Sequence, residues 1–173
     1  WGHFADAEAY YRQALDIIRA WYGPDHPETA STLTSLGRAL VAEHRDADAE
    51  EMLRQALTIE ERVYGKVHPR VASTLNELGT IAQREGRLDE AEADFTRMAA
   101  IYKSVYADRH YLIGIALSNL AGVYLARNEY PRAEREFREV LRRYADVLEP
   151  GHRLIGIAHV RLGHTLVRAN RIP

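Results

Sequence analysis

The stretch HPETASTLTSLG at residues 26–37 returns as HPRVASTLNELG at residues 68–79, an offset of 42. Looser copies follow at the same offset: HYLIGIALSNLA at 110–121 and HRLIGIAHVRLG at 152–163. One histidine holds the register through His26, His68, His110 and His152. A second series keeps step with the first: GHFADAE from Gly2, HRDADAE from His44, GRLDEAE from Gly86, NEYPRAE from Asn128 and NRIP from Asn170. Repetition at a fixed interval, with no insertion, marks a tandem array of one supersecondary unit.

Each unit reads as two helices. The first begins near the histidine. Pro27 and Pro69 suit a first helical turn, where a missing N–H costs nothing. Its apolar residues recur in steps of three and four, as in Ala72, Leu75, Leu78, Gly79 and Ala82. It ends at a turn such as Glu85-Gly86-Arg87, where Gly86 can take a left-handed cap. The second helix carries Leu88, Ala91, Phe95, Met98 and Tyr102 on one face. Gly23 and Gly65 terminate helices of this second kind.

Small residues recur in phase, which predicts close approach between helices. They are Gly37, Gly79, Ala121 and Gly163 in the first helix and Ala7, Ala49, Ala91 and Ala133 in the second. Larger residues are expected to fill the next layer at Tyr11, Leu53, Phe95 and Phe137. A glycine inside a helix costs about 1 kcal/mol against alanine. Its periodic return suggests that packing offsets that cost. Met98 and Val140 replace the alanines of positions 14 and 56, so the later pairs are expected to pack differently.

Composition narrows the function. Hydrophobic residues are 46% and charged residues 28%, which is the balance of a globular chain. No apolar run approaches the roughly 18–20 residues that span a bilayer, so no membrane partner is expected. The absence of cysteine excludes disulfides, thiolate metal sites and a cysteine nucleophile, and it fits a reducing, cytoplasmic setting. Arginine supplies nearly all basic residues, with Lys66 and Lys103 the only lysines, which points to a bacterial source. Residues 1–129 hold 14 basic and 20 acidic side chains, a net of −6; residues 130–173 hold 9 and 5, a net of +4. The whole chain carries −2, without the basic footprint of a nucleic-acid binder.

Catalytic and metal readings fare poorly. The four histidines sit in equivalent places, so two helix layers of about 8–10 Å each separate them. A shared ion needs nitrogens at about 2.0–2.1 Å. Each histidine is expected instead to cap or pack beneath the start of its helix. No GxSxG, P-loop, GxGxxG or HExxH occurs. The acidic pairs Glu50-Glu51, Glu60-Glu61 and Asp89-Glu90 read as solvated outer faces, since helical neighbours diverge by about 100°. Arg132, Arg135, Arg138, Arg142 and Arg143 alternate with Glu134, Glu136 and Glu139, which favours intrahelical ion pairs. The expectation is a chain without enzymatic activity, cofactor or metal.

HPETASTLTSLG, HPRVASTLNELG, GRLDEAEADF and NEYPRAEREF resemble tetratricopeptide repeats of the 42-residue type found in kinesin light chains and in many bacterial multidomain signalling proteins. The resemblance covers essentially the whole chain. It implies an all-α fold, an α-solenoid of eight antiparallel helices wound as a right-handed superhelix. The expected division is a second helix at 1–22, full repeats at 23–64, 65–106 and 107–148, and a first helix at 149–173. Neither end of that series is capped, so the chain reads as part of a longer protein.

The resemblance also implies a non-catalytic scaffold that binds a protein or peptide in a concave groove lined by first helices. Carried onto this sequence, the groove positions are Ser31, Thr34, Ser35 and Arg38, then Ser73, Asn76, Glu77 and Thr80. They continue with Ile115, Ser118, Asn119 and Gly122, then Ile157, Val160, Arg161 and His164. Gln83, Arg84, Leu125, Val167 and Arg168 follow one turn later. Asn76 and Asn119 could hold a peptide backbone. Arg84, Arg161 and Arg168 could hold an acidic group or a terminal carboxylate. Ile115 and Ile157 could seat an apolar anchor. The alternative is a structural segment that assembles head-to-tail, the first helix at one end docking the second helix at the other end of a further copy.

Overall fold

The computed structural model describes residues 3–169. Eight helices follow in order: α1 (His3–Tyr22), α2 (Pro27–Ala42), α3 (Asp46–Tyr64), α4 (Pro69–Arg84), α5 (Leu88–Val105), α6 (Tyr111–Ala126), α7 (Tyr130–Val147) and α8 (Arg153–Ala169). No strand occurs among the described residues. The last turn of the second series, NRIP from Asn170, lies outside them, as does Gly2. The chain forms two compact units, Trp1–Ile81 and Ala82–Pro173.

The histidine series fixes where the first helices begin. The N–H of the residue two places on donates to His26, His68, His110 and His152 Nδ1, each at 3.2 Å. Each ring thus satisfies one of the orphan donors of a helix start. The residue four places earlier supplies a stacking surface: Tyr22 on His26, Tyr64 on His68 and Tyr106 on His110, at 4.6, 4.5 and 4.2 Å between centroids. The ends of α1, α3 and α5 are thereby clamped to the starts of α2, α4 and α6.

The turns inside each pair are equally regular. His44, Gly86 and Asn128 occupy one phase and all are left-handed, at φ of 61, 77 and 60°. Glycine and asparagine tolerate that conformation, and His44 adopts it with a β-carbon. At the other junction Gly23 and Gly65 have φ of 92 and 80°. Ala107 stands at their phase with φ of 50°, and Asp108 follows at 60°. Arg143 secures that strained pair, meeting the Asp108 carboxylate at 2.8 and 3.2 Å.

In the first unit Leu33, Leu36 and Leu40 of α2 pack with Leu53, Ala56 and Ile59 of α3, joined by Leu15, Leu78 and Ile81. In the second, α6 packs against α5 and α7, and α7 against α8. Phe95, Met98, Ile113, Val123, Phe137 and Val140 are all buried there. Full burial of such a side chain is worth about 1.5–3 kcal/mol, so these stripes supply most of the cohesion. The outer face of α7 carries the expected ion pairs, Arg138–Glu134 at 2.8 Å, Arg142–Glu139 at 2.6 Å and Arg143–Glu139 at 2.7 Å.

Close approach is real at Gly37, where an added β-carbon would lie 2.7 Å from Leu53 Cγ. Gly114 is tighter still, since its β-carbon would lie 2.2 Å from Tyr144 Cε1. Two expectations need correction. Gly163 has nothing within 4 Å of a β-carbon position. Tyr11 is 38% exposed, whereas Leu53, Phe95 and Phe137 are fully buried. The reason is shared: Gly37 meets the second helix that follows it and Leu53 the first helix that precedes it, and among the described residues no helix follows α8 and none precedes α1.

Gly114→Ala should therefore destabilise by about 1–3 kcal/mol, the range for overpacking. Gly156→Ala, at the equivalent phase but with open space beside it, should gain up to about 1 kcal/mol from helix propensity. Urea denaturation of both variants checks the pair, and equal midpoints would refute the packing argument.

Candidate peptide-binding face

In the first unit the face in question is made by α2 and α4. Ser31, Thr34, Ser35 and Ser73, Asn76, Glu77 and Thr80 are half-buried, and Arg38 is exposed. Arg38 joins the two helices: its Nε donates to Glu77 Oε1 and its Nη2 to Ser73 Oγ, each at 2.9 Å. Thr34, Ser35 and Thr80 donate to the carbonyls of Ala30, Ser31 and Asn76 at 3.0, 3.0 and 2.7 Å. Their hydroxyl lone pairs remain as acceptors. Arg84 is exposed in the last turn of α4.

Beneath this face lies a carboxylate that the sequence reading misplaced. Glu60 is not on a solvated outer face; it is 3% exposed. Thr74 Oγ1 donates to its Oε2 at 2.8 Å. Burial pushes the Glu60 carboxyl above its ordinary value of 4.5, against the pull of the Thr74 hydrogen bond and of the Arg70 and Arg38 charges. The periodic signal was available. Position 60 is in phase with Ile18, Tyr102 and Tyr144, the inward row of the second helices. A cleft of about 150 Å³ opens above it, walled by Ser31, Thr34, Ser35, Arg38, Arg70, Ser73 and Thr74. Arg70 and Thr74 are further residues that the groove pattern did not include.

In the second unit the corresponding face belongs to α6 and α8. Ile115 and Asn119 are half-buried, Ser118 is buried, and Ile157, Arg161, His164 and Arg168 are exposed. Arg161 Nη1 donates to Ser118 Oγ at 2.9 Å, so these two meet across neighbouring first helices. Ser118 thus holds the arginine instead of facing open solvent. Burial pushes the Tyr144 phenol up to about 12, and the Arg161 charge pulls the other way. Arg168 lies over the Tyr130 ring at 5.8 Å. Among the described residues no carboxylate pairs with Arg161 or Arg168. Gly122 approaches Gln83, where a β-carbon would stand 3.0 Å from Nε2.

Other charged places are internally matched. Arg127 bridges Asp89 and Glu92, while Arg132 reaches Glu92 at 3.2 Å and Glu129 at 2.6 Å. Burial raises the Glu92 carboxyl, but hydrogen bonds from Arg127 and Tyr124 outweigh it and leave it below its usual value. A cleft of about 410 Å³ beside Asp108 and His110 is bordered by Arg142 and Arg143. Both arginines are already paired there, with Glu139, Asp146 and Asp108. No group of three or more metal-ligating side chains occurs among the described residues, and no described helix is long and apolar enough to cross a membrane.

Helix pairs with this register and these small-residue contacts define a helical-repeat protein of the solenoid class. The sequence matches the family profile described as tetratricopeptide repeat at residues 2–62, 45–104 and 70–146. The chain belongs to that family. Among solved structures it is similar to BtubC (BKLC) from P. vanneervenii, with 19% identity, a TM-score of 0.88, and coverage of 98% of this chain and 67% of that one. It is also similar to a Podosopora anserina putative kinesin light chain with nearly identical TPR-like repeats, at 21% identity, TM-score 0.83, and coverage of 99% and 81%. A point variant of that protein gives 20% identity, TM-score 0.85 and the same coverages. These likenesses concern the fold. No curated protein sequence matches the chain.

The Glu60 environment has a pH signature. A carboxyl whose folded pKa is raised binds its proton more tightly in the folded state. Its stabilising contribution is complete below about pH 4.5, the ordinary carboxyl value, and is lost as pH rises through the raised one. Glu60→Gln should therefore raise the urea midpoint at neutral pH, with the gain shrinking towards acid. A pH-independent difference between wild type and variant would contradict this account.

Proposed function

We propose that the chain is a non-catalytic binding module whose first-helix faces take up an extended protein or peptide segment. Tetratricopeptide repeats are in general protein-interaction scaffolds. The observation that carries the reading here is Arg161. Its guanidinium is anchored by Ser118, stands beside exposed Ile157, and has no carboxylate partner among the described residues. A positioned arginine of this kind suits an acidic side chain or a terminal carboxylate, which it can grip bidentately. Ile115 and Ile157 offer apolar surface for a neighbouring anchor residue, and His164 and Arg168 extend the basic side. Asn119 on α6, and Ser73, Asn76, Glu77, Thr80 and Arg84 on α4, supply the polar contacts. No cofactor, nucleic acid or membrane enters this reading. The setting it implies is a larger cytoplasmic signalling protein of a bacterium.

Screening against an array of immobilised 15-residue peptides should yield binders enriched in acidic residues or free carboxyl termini. Joint Arg161→Glu and Arg168→Glu substitution should weaken them by about tenfold or more, the worth of one or two charge-assisted hydrogen bonds. Unchanged affinity would remove both residues from the site.

A second reading rests on the apolar surface of α1 and α8. Tyr10, Ile17 and Trp21 are 72, 60 and 82% exposed, and Val160 and Val167 are 57 and 52% exposed. Gly37 seats Leu53; Gly163, at the same phase, has open space, and Tyr11 is the phase equivalent of Leu53. In this reading α1 of one copy docks on α8 of another, a heterologous contact that propagates. Sedimentation velocity should then show concentration-dependent association that Trp21→Glu abolishes. A strict monomer at high concentration would eliminate it.

A further inference from the structure

We propose that the cleft floored by Glu60 is a receptor for a primary ammonium group, supplied by a lysine side chain or a free amino terminus of the bound segment. The inference rests on the binding reading above and assigns the chemistry of its first-unit half.

Four observations support it. First, position 60 departs from the other second helices of its row, and a cleft lies beside it. Tyr144, in phase with Glu60, lays its ring against Gly114. Position 60 holds the shorter glutamate, and the cleft beside it has about 150 Å³. That space suits the end of an alkylammonium chain. Second, Glu60 has the Thr74 hydroxyl as its hydrogen-bond partner, and no cationic side chain among the described residues forms an ion pair with it. Arg70 and Arg38 act on it only at a distance; a buried carboxylate without a direct ion pair is costly, and a partner that brings a charge into contact recovers much of that cost. Third, the walls present acceptors. Thr34 and Ser35 spend their protons on backbone carbonyls, and Thr74 spends its own on Glu60. An ammonium group brings three donors and no acceptor.

Fourth, the two nearby cations are otherwise engaged. Arg38, from α2, is neutralised by Glu77 at 2.9 Å. Arg70, from α4, lies over the Tyr64 ring at 5.5 Å and is exposed. They are the charged groups that face Glu60 from α2 and α4. Arg70 opposes a cationic ligand through solvent, where the interaction is weak. The direct Glu60 contact is the stronger effect.

The test is a ¹H–¹⁵N titration of the full 173-residue chain with n-butylammonium chloride at mildly alkaline pH. Saturable shifts at Glu60, Ser73 and Thr74 are expected. Tetramethylammonium, which has no N–H donors, should give none. Affinity should fall as pH is lowered, because a proton competes for the same carboxylate. Glu60→Gln should weaken binding by about tenfold or more, the loss of one charge-assisted hydrogen bond. Arg70→Gln, at the exposed mouth, should tighten it by about twofold to fivefold, so the proposal does not depend on the buried variant folding. Acetylated lysine-containing peptides against free-amino-terminal peptides lacking lysine separate the two sources. Equal shifts with tetramethylammonium, acetate binding in place of ammonium, or an unaffected Arg70→Gln would overturn the assignment. If butylammonium fails while the acidic peptides still bind through Arg161, only the cleft is lost. If it succeeds while no peptide binds, the cleft stands and the extended-groove reading falls.

Discussion

Within each unit, the packing of neighbouring helices against one another carries the structure: α1 on α2 and α2 on α3 in the first, α5 on α6, α6 on α7 and α7 on α8 in the second. No single helix here can bury its own apolar stripe, and the stripes are hidden only pairwise. Gly37 against Leu53 and Gly114 against Tyr144 show how close the backbones come. Contacts that short fix the phase within each helix pair, because a residue inserted inside a helix would turn its later knobs away from their holes. The histidine caps serve the same end. A ring that accepts one backbone N–H and stacks on the tyrosine of the preceding helix joins two elements through one side chain.

This repetition makes departures informative. Where a position is held by Ile18, Tyr102 and Tyr144 but by glutamate in one repeat, the exception is buried in the same row and changes its chemistry. Glu60 brings a charge and a shorter side chain, and a cleft of about 150 Å³ lies beside it. The Ala107-Asp108 junction is another exception. Left-handed Ala107 stands where Gly23 and Gly65 stand in the earlier repeats, left-handed Asp108 follows it, and Arg143 meets the exposed Asp108 carboxylate. The first departure lies beneath a cleft on the first-helix face; the second is closed by its own ion pairs.

In each unit the first-helix face is assembled from side chains that reach a neighbouring first helix. Arg38 reaches forward to Ser73 and Glu77, and Arg161 reaches back to Ser118. Residues of one face thus partly satisfy each other, and the remaining valences are directional. In the first unit acceptors dominate over Glu60, which calls for donors from a ligand. In the second an arginine without a carboxylate partner among the described residues stands over Ser118, which calls for an acceptor.

Period and composition in the sequence determined the helix order, the capping role of the histidines, the turns at Gly86 and Asn128, and the ion-paired face of α7. These depend on residues close in the chain, so a one-dimensional pattern contains them. The family resemblance, carried onto that pattern, marked the first-helix positions Ser73, Glu77, Ile115 and Arg161 as a face. It could not say that Arg38 is spent on Glu77 or that Ser118 is buried beneath Arg161, because those partners lie about one repeat apart. Nor did it place Glu60 correctly, since a charged pair reads as solvent-facing unless its phase is compared with Tyr144. Only the tertiary structure decides which charges are neutralised and which polar groups are cut off from water, because burial and pairing are properties of the packed neighbours and not of the residue itself.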